Sequence, residues 1–288
     1  MRVLGIHRLT LAAPALSELG TFYRDVWGMT LLERSETRWN LRCRASSQCD
    51  FALERRDGKA GLAALALRVP GKDALEALIA AAQGAGGRLL RALSPSIDYP
   101  GERSAALADP DGNTIELVIF PRAAYRQGPL HGQFGPHRIG HAVLWTPRIE
   151  TAEAFYGALG LRVTDRTAMG MSFLRCNADH HSLALVKSKG QIGLQHIAFD
   201  VGTFDAVMRE YGRLKAASVE CVWGPGRHGP GANVFSYYRD PAGTIIEFYG
   251  EMQQYFGDEE PAEPVWWGPE HRGDVWGIAG PAPQAFRP

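Results

Sequence analysis

The sequence lacks a long apolar run and lacks an excess of charge of either sign. No stretch approaches the roughly 18 apolar residues that a membrane span needs, and no apolar signal segment follows Met1. The 31 basic residues are matched by 31 acidic ones, without a strongly basic segment. We therefore expect neither a membrane nor nucleic acid as a partner.

Cysteine is also scarce. The four copies, Cys43, Cys49, Cys176 and Cys221, show no CxxC spacing, which argues against a disulfide framework and against a zinc site. Reduced thiols and a cytoplasmic location are expected. A chain of 288 residues is long enough for two cores that fold without disulfides or structural metals.

The sequence contains an internal repeat. The segment DPDGNTIE at Asp109 to Glu116 recurs as DPAGTIIE at Asp240 to Glu247, an offset of 131 (240 minus 109). LALRV from Leu65 recurs as IAFDV from Ile197, an offset of 132 (197 minus 65). The same order at nearly one offset indicates a duplicated domain.

Each half divides again into two units with the order strand, helix and three strands. In the second half, alternation predicts a strand over 139–145, a helix over 151–159 and strands near 161–165, 171–176 and 182–186. The next unit predicts a strand over 193–201, a helix near 204–215 and strands near 219–222, 234–239 and 244–249. The fold class is therefore α+β, with four βαβββ units paired into two open, barrel-like sheets.

Four segments follow from this organisation. Residues 1–120 form a non-catalytic domain, residues 121–136 a linker rich in Gly and Pro, and residues 137–251 a catalytic domain. Residues 252–288 form an extended tail with three tryptophans. Such an arm packs either on its own domain or on a second subunit, and we expect a homo-oligomer.

Three side chains from separate strands of the second half are candidate metal ligands. His141 and His196 begin sister units, and Glu247 lies on the last strand, within an apolar run. A buried carboxylate beside neutral imidazoles needs a cation or a raised pKa. Two His and one carboxylate form a triad that binds Fe(II) and leaves positions open for substrate and O2. The alternative is that both histidines belong to the core.

The first half serves as an internal control. Glu116 matches Glu247, His7 roughly matches His141, and Ala64 stands at the position of His196. The first half should therefore hold no metal in this way, and His7 and Glu116 are interpreted as structural remnants. One metal site per chain is expected.

The second half closely resembles the type I extradiol dioxygenases of the vicinal oxygen chelate superfamily, and the first half does so weakly. The motifs that carry this resemblance stand in the family's order: IGHAV around His141, CNADHHSLA ending beyond His181, LQHIAF around His196, GRHGPG around His228, and FSYYRDPAG with Glu247 beyond it. Each motif is modest, but together they are specific.

The resemblance implies the chemistry. His141, His196 and Glu247 would hold Fe(II), with Mn(II) as an alternative. His181 would be the acid/base, and His228 and Tyr237 would hydrogen-bond substrate oxygens. The substrate would be a catechol, whose ring is opened by O2 beside the diol. Tyr238 faces the opposite side of the strand, and the remaining histidines His131, His137, His180 and His271 are interpreted as surface residues.

Two rival functions remain open at this stage. One is another enzyme of the same scaffold, such as a glyoxalase-like isomerase or a thiol transferase, which would use a different mix of ligands. The other is a metal-free protein that sequesters a small molecule. The set of two His and one Glu argues against the second rival.

Overall fold

The computed structural model describes residues 1–46, 48–96, 98–120, 134–256 and 263–286. The strands of the first half are β1 (Ile6–Ala13), β2 (Thr30–Arg34), β3 (Arg38–Arg42), β4 (Phe51–Arg55), β5 (Gly61–Val69), β6 (Arg88–Pro95), β7 (Arg103–Ala108) and β8 (Thr114–Ile119). Its helices are α1 (Leu16–Thr21), which continues into a π-helical turn (Phe22–Val26), and α2 (Lys72–Gly84).

The second half repeats this order and adds a strand from the tail. Its strands are β9 (Arg138–Thr146), β10 (Arg162–Thr167), β11 (Met171–Arg175), β12 (Leu183–Lys187), β13 (Gly193–Gly202), β14 (Trp223–Arg227), β15 (Val234–Arg239), β16 (Ile245–Gly250) and β17 (Val265–Trp267). Its helices are α3 (Ile149–Ala158) and α4 (Phe204–Ala216), and a short 3₁₀ turn covers Gln284–Phe286.

Each half forms one mixed sheet. The first has the order β2-β3-β4-β1-β5-β8-β7-β6, and the second has the order β14-β15-β16-β13-β9-β12-β11-β10-β17. In each sheet the first strands of the two units are central and antiparallel to one another. The four βαβββ units and the α+β class are therefore confirmed, and the sheets are open rather than closed barrels.

Two predicted boundaries were wrong. The strand expected near 219–222 is β14, which begins at Trp223 and includes Pro225. It is an edge strand, where a proline costs no ladder hydrogen bond. Helix α3 begins at Ile149, because that buried side chain anchors its first turn, and Thr151 is not its cap. The predicted domain limits stay predictions, and most of the predicted linker lies outside the described residues.

One apolar core runs through both halves. Trp27 of the first half stacks on Phe248 of the second with ring centroids 3.7 Å apart, and it meets Phe199 edge to face. All three rings are fully buried. Aromatic rings contribute large apolar area per side chain, so the contact between the halves is part of the core rather than a thin interface.

Two buried hydrogen bonds cross between the halves in a reciprocal pattern. Tyr23 of the first half donates to Asp240 in the second, and Tyr156 of the second donates to Asp109 in the first, at 3.0 and 2.8 Å. Each aspartate belongs to the repeated Asp-Pro-x-Gly turn. The halves are thus related as two subunits of a twofold dimer would be.

The tail packs on its own domain. Strand β17 pairs in parallel with β10, and the indole of Trp223 donates to the carbonyl of Gly280. The described part of the tail therefore contacts the second half of its own chain. Among the described residues, no helix is long and apolar enough to cross a membrane.

Candidate metal centre and active site

Strand register brings the three predicted ligands together. His141 on β9 faces Ala198 on β13, which in turn faces Glu247 on β16. His196 lies two residues before Ala198. Side chains at i and i+2 project from the same face of a strand, so the three ligands share one face of the sheet.

The three side chains converge on one point. His141 Nε2 and His196 Nε2 each lie 3.2 Å from Oε2 of Glu247. The candidate ligand atoms all lie within 4.8 Å of one another, and this is the one such cluster in the described part of the chain. All three side chains are buried.

The hydrogen bonds around His196 indicate that a cation belongs at this point. Nδ1 of His196 donates to the side-chain oxygen of Gln195, whose amide nitrogen donates to the carbonyl of Phe286. A neutral imidazole carries one N–H, so Nε2 presents a lone pair. That nitrogen and Oε2 of Glu247 are buried and have no hydrogen-bond partner among the described residues. Two facing lone pairs are what a metal ion would bridge, so the residues fit one.

Charge is also arranged for a cation. Burial raises the pKa of Glu247, but the facing His141 and His196 outweigh burial and hold that pKa well below its usual range. Burial lowers the pKa of His196, and Glu247 opposes this in part. Glu247 is therefore an anionic carboxylate, the state in which a carboxylate binds a metal ion.

His181 lies beside the cluster, with its ring centroid 4.3 Å from that of His141. Burial and the neighbouring imidazoles lower the pKa of His181 well below its ordinary value. It is therefore neutral, as an acid/base group that first accepts a proton must be.

The interpretation of His180 as a surface residue was wrong. His180 is 1% exposed, and its Nδ1 lies 3.0 Å from Nδ1 of His181. Its other nitrogen lies 3.1 Å from Oδ1 of Asp165 on β10. The sequence could not reveal this, because the partner of His180 comes from a strand that precedes it by two elements.

His228 and Tyr237 form a hydrogen-bonded pair on the other side of the cavity. Nδ1 of His228 donates to the carbonyl of Gly273, at 2.7 Å, so Nε2 of the neutral ring accepts from the hydroxyl of Tyr237, at 3.0 Å. Burial lowers the pKa of His228 to about 4. In this arrangement His228 is an acceptor toward Tyr237. Tyr238 is in the core instead.

The cavity above the cluster has mainly apolar walls, and the tail supplies part of them. Besides the histidines and Tyr237, its apolar lining consists of Val143, Met169, Met171, Phe173, Trp223, Pro230, Ala282 and Phe286. His271 and Arg272 also line it, so His271 has a place at the cavity that the surface interpretation missed. His137 is half-buried, and His131 lies outside the described residues.

The sister position in the first half was assigned to the wrong residue. Arg8, not His7, faces Ala66, and Ala66 faces Glu116, so Arg8 has the register of His141. Its guanidinium binds Glu102 with both nitrogens and lies 3.8 Å from Glu116. His7 is bound to Glu102 at 2.8 Å. In the first half an arginine cation thus neutralises the carboxylates.

Two supporting residues escaped sequence reasoning. Gln195 orients His196, and Asn233 donates to Oε1 of Glu247 at 3.2 Å. Gln195 is adjacent in sequence to the predicted ligand His196, and this position could have indicated a supporting role. Asn233 lies in a Gly-rich loop and meets Glu247 only through the β15–β16 hairpin, for which the sequence offers no signal.

Family models match both halves. Residues 138–248 match the glyoxalase/bleomycin resistance protein/dioxygenase superfamily, and residues 8–118 match a glyoxalase-like domain. Each half of this chain is therefore similar to a glyoxalase-type domain.

Relatives with curated names are extradiol dioxygenases. Metapyrocatechase 2 of Cupriavidus necator is 34% identical over 189 residues, covering 58% of this chain and 57% of that protein. Biphenyl-2,3-diol 1,2-dioxygenase of Sphingomonas paucimobilis is 28% identical, covering 50% of this chain and 53% of that protein. The matched regions thus span little more than half of these relatives.

Solved structures share the fold over the whole chain. The Mn(II)-bound glyoxalase from Novosphingobium aromaticivorans has a TM-score of 0.87 and 28% identity, covering 100% of this chain and 94% of that one. Homoprotocatechuate 2,3-dioxygenase from Brevibacterium fuscum, with bound 3,4-dihydroxyphenylacetate, has a TM-score of 0.85 and 22% identity, covering 99% and 92%. The second likeness is evidence for the fold alone.

Proposed function

We propose that this protein cleaves a catechol-type ring beside its diol, using O2 at one metal ion held by His141, His196 and Glu247. The observation that carries the proposal is the convergence of these three side chains, within 4.8 Å, at the base of an apolar cavity. The named extradiol relatives support the reaction class. Fe(II) is the proposed metal, in keeping with the iron-dependent relative from Rhodococcus jostii, and Mn(II) is the alternative.

The number of ligands supports an open site. In the second half, Val143 and Ala198 each lie two residues after a ligand histidine. Val143 pairs with Ala184 on β12, and Ala198 pairs with Glu247 on β16. Ala184 therefore has the position in the first unit that Glu247 has in the second, and it offers no donor atom. Three protein ligands leave one face free, as a site that must accept two vicinal oxygens and O2 requires.

The surrounding side chains have separate tasks in this proposal. A metal ion bound by the triad would acidify the diol and hold both reactants. His181 accepts a hydroxyl proton of the substrate and later returns it. Tyr237 orients a substrate oxygen, and His228, hydrogen-bonded to the Tyr237 hydroxyl, holds that hydroxyl in place.

The walls predict the kind of catechol. Met171, Phe173, Trp223 and Phe286 surround the space above the ligands, and apolar area removed from water stabilises a bound apolar group. We propose a catechol with an apolar or aromatic substituent.

The test is anaerobic loading with Fe(II) or Mn(II), followed by O2 uptake with substituted catechols. We expect one metal per chain and consumption of one O2 per catechol, with a ring-opened product. His196→Ala should lose both metal and turnover, whereas Arg8→Lys, at the first-half position that matches His141, should keep them. Full activity of His196→Ala would refute the ligand assignment.

A glyoxalase-like isomerase is the second candidate, because a Mn(II)-bound glyoxalase matches this chain over its full length. The two candidates differ in their need for O2. Turnover of a thiol adduct of an α-ketoaldehyde without O2, together with no reaction on catechols, would favour the isomerase.

A cytoplasmic location and a homo-oligomer remain proposals. Four free cysteines, three of them buried, fit a reducing compartment. Light scattering of the purified chain measures the number of subunits directly.

A further inference from the structure

A series of three side chains, His180, Asp165 and Trp267, lies behind His181, and the first two are buried. Nδ1 of His181 is 3.0 Å from Nδ1 of His180, and Nε2 of His180 is 3.1 Å from Oδ1 of Asp165. Oδ2 of Asp165 accepts a hydrogen bond of 2.6 Å from the indole of Trp267, on the tail strand β17. The series leads from the tail to the edge of the cavity.

The carboxylate sets the direction of the hydrogen bonds. Oδ1 of Asp165 is buried and has no hydrogen-bond partner among the described residues, although Nε2 of His180 lies 3.1 Å away. A buried acceptor without a donor is costly, and a small rotation of the ring supplies the donor. An ionised carboxylate only accepts, so His180 carries its proton on Nε2 and presents a lone pair at Nδ1.

We propose that Asp165 and His180 are positioning residues that hold His181 in one tautomer, with its proton on Nδ1 and a lone pair on Nε2 toward the cavity. A hydrogen bond between two nitrogens 3.0 Å apart needs one N–H donor. Because Nδ1 of His180 carries a lone pair, the donor must be Nδ1 of His181. This inference rests on the proposed function, where it makes His181 a base that is ready for the first proton transfer.

The proton transfer balances within these groups. The O–H bond of a substrate hydroxyl breaks, its electron pair stays on oxygen, and a new N–H bond forms at Nε2 of His181. The resulting imidazolium donates from Nδ1 to His180, which donates to the Asp165 carboxylate. The carboxylate therefore stabilises the charge without receiving the proton.

The tautomer can be measured without any activity. In metal-free protein carrying ¹⁵N-labelled histidine, long-range nitrogen–proton NMR correlations distinguish the two tautomers, and His181→Asn identifies the signals. We expect the pattern of an Nδ1-protonated ring. An Nε2-protonated His181 would mean that His180 donates as an imidazolium, and it would overturn the proposal whatever the enzyme catalyses.

Asp165→Asn should reverse the relay. Trp267 still requires an oxygen acceptor, so the new amide turns its NH2 group to His180, which must then accept at Nε2 and donate from Nδ1. We expect His181 to change to the Nε2-protonated form and kcat to fall about 10²-fold, the lower end of what a positioned base contributes. KM and metal affinity should change little. An unchanged tautomer would contradict the proposal.

The matched controls use Trp267. Trp267→Phe alone keeps the carboxylate, so the tautomer of His181 should stay as it is. Combined with Asp165→Asn, it frees the amide to turn its oxygen to His180 and should restore the Nδ1-protonated form. If the two residues had a purely structural role, the losses of kcat in the two single variants would instead add up in the double variant. A double variant that fails to restore the tautomer of His181 would overturn the proposal. Absence of ring cleavage in the unaltered protein would reject the proposed function only.

Discussion

At the scale of single residues, the two halves differ most at Arg8 and His141. Both occupy the same register position on the first strand of their half. His141 places an imidazole nitrogen 3.2 Å from one carboxylate, that of Glu247, whereas Arg8 brings a permanent charge beside Glu102 and Glu116. One half neutralises its carboxylates with a side chain, and the other has room for an ion.

Arg8→Met should therefore destabilise the first half. Arg8 and Glu102 are 3% and 5% exposed, and removal of one partner of a buried pair leaves the other charge uncompensated, at a cost of about 3 kcal/mol. Urea unfolding measures the change. The double variant Arg8→Met with Glu102→Gln should recover much of the loss, because the remaining group is neutral. A loss below about 1 kcal/mol, typical of an exposed pair, would contradict this account.

Gln195→Leu should weaken metal binding while leaving all three ligands in place. Gln195 fixes the tautomer and orientation of His196, and loss of such outer partners typically lowers metal affinity about 10- to 100-fold. Competition with a chromophoric chelator measures the affinity. Gln191→Leu, which changes an exposed glutamine of the same segment, is the control and should have wild-type affinity.

The six predicted site residues came from the sequence because each lies in a motif or at a repeated position. The roles of His180 and Arg8 were not predicted from the sequence. The burial of His180 depends on Asp165 and on the tail, and the role of Arg8 depends on a one-residue difference in strand register. A difference of one residue moves a side chain to the other face of a strand, which a rough alignment of repeats cannot resolve.

At the scale of elements, the tail is the part of the fold that completes the site. It contributes the acceptor for His228 at Gly273, the donor to Asp165 at Trp267, and the aromatic ring of Phe286 in the cavity wall. Without the tail, the cavity of the second half would lack one wall. The tail therefore acts on both the shape of the cavity and the orientation of its histidines.

Phe286→Ala should raise KM more than it lowers kcat. The ring lies 4.9 Å from that of Tyr237 and 5.5 Å from that of Trp223, measured between centroids. Its loss removes apolar wall, and an aromatic contact contributes about 1 kcal/mol beyond its area, so KM should rise roughly 5- to 10-fold for a catechol with an aromatic substituent. Ile278→Ala, an exposed tail position, should leave KM unchanged. Equal effects of both variants would show that the tail acts only through general stability.

The order of strands and helices was predictable because hydrophobic alternation and the repeat reinforce each other. β15, at Val234–Arg239, has the predicted bounds. β14 was misplaced because Gly and Pro usually interrupt strands, and an edge strand tolerates them. The path of the tail was not predictable, since it lacks a period and its contacts are all with distant residues.

At the scale of the whole molecule, Asp50 links stability to pH. It lines a polar cavity between the halves together with His7 and His137, and it accepts a hydrogen bond from the backbone of Cys43. Burial raises its pKa to about 7, although these hydrogen bonds oppose the shift. The folded protein thus holds a proton that the unfolded chain releases near its ordinary pKa.

Between about pH 4 and pH 7, Asp50 should therefore reduce the free energy of unfolding as pH rises, with no further change above pH 7. From pH 5 to pH 8 the loss attributable to this group is roughly 2–3 kcal/mol. Asp50→Asn keeps the acceptor oxygen and removes the titration. The difference in unfolding free energy between variant and wild type should shift in favour of the variant over this range. A constant difference would mean that Asp50 titrates normally.

The duplication and the two-domain plan could be read from the sequence, since the repeated Asp-Pro-x-Gly turns mark them. Their reciprocal contacts with Tyr23 and Tyr156 could not, because nothing local indicates that the tyrosine of each half meets the turn of the other. Such pairings depend on how the halves dock.

Those crossed tyrosine–aspartate bonds have an evolutionary consequence. In an assembly of two identical chains, any mutation appears twice, and a change that abolishes the ligands of one copy abolishes them in both. Fusion of the copies into one polypeptide removes that constraint, while the reciprocal hydrogen bonds between the copies are kept. One copy is then free to change its buried charges, as the Arg8–Glu102 pair of the first half illustrates, while the other copy keeps its own set.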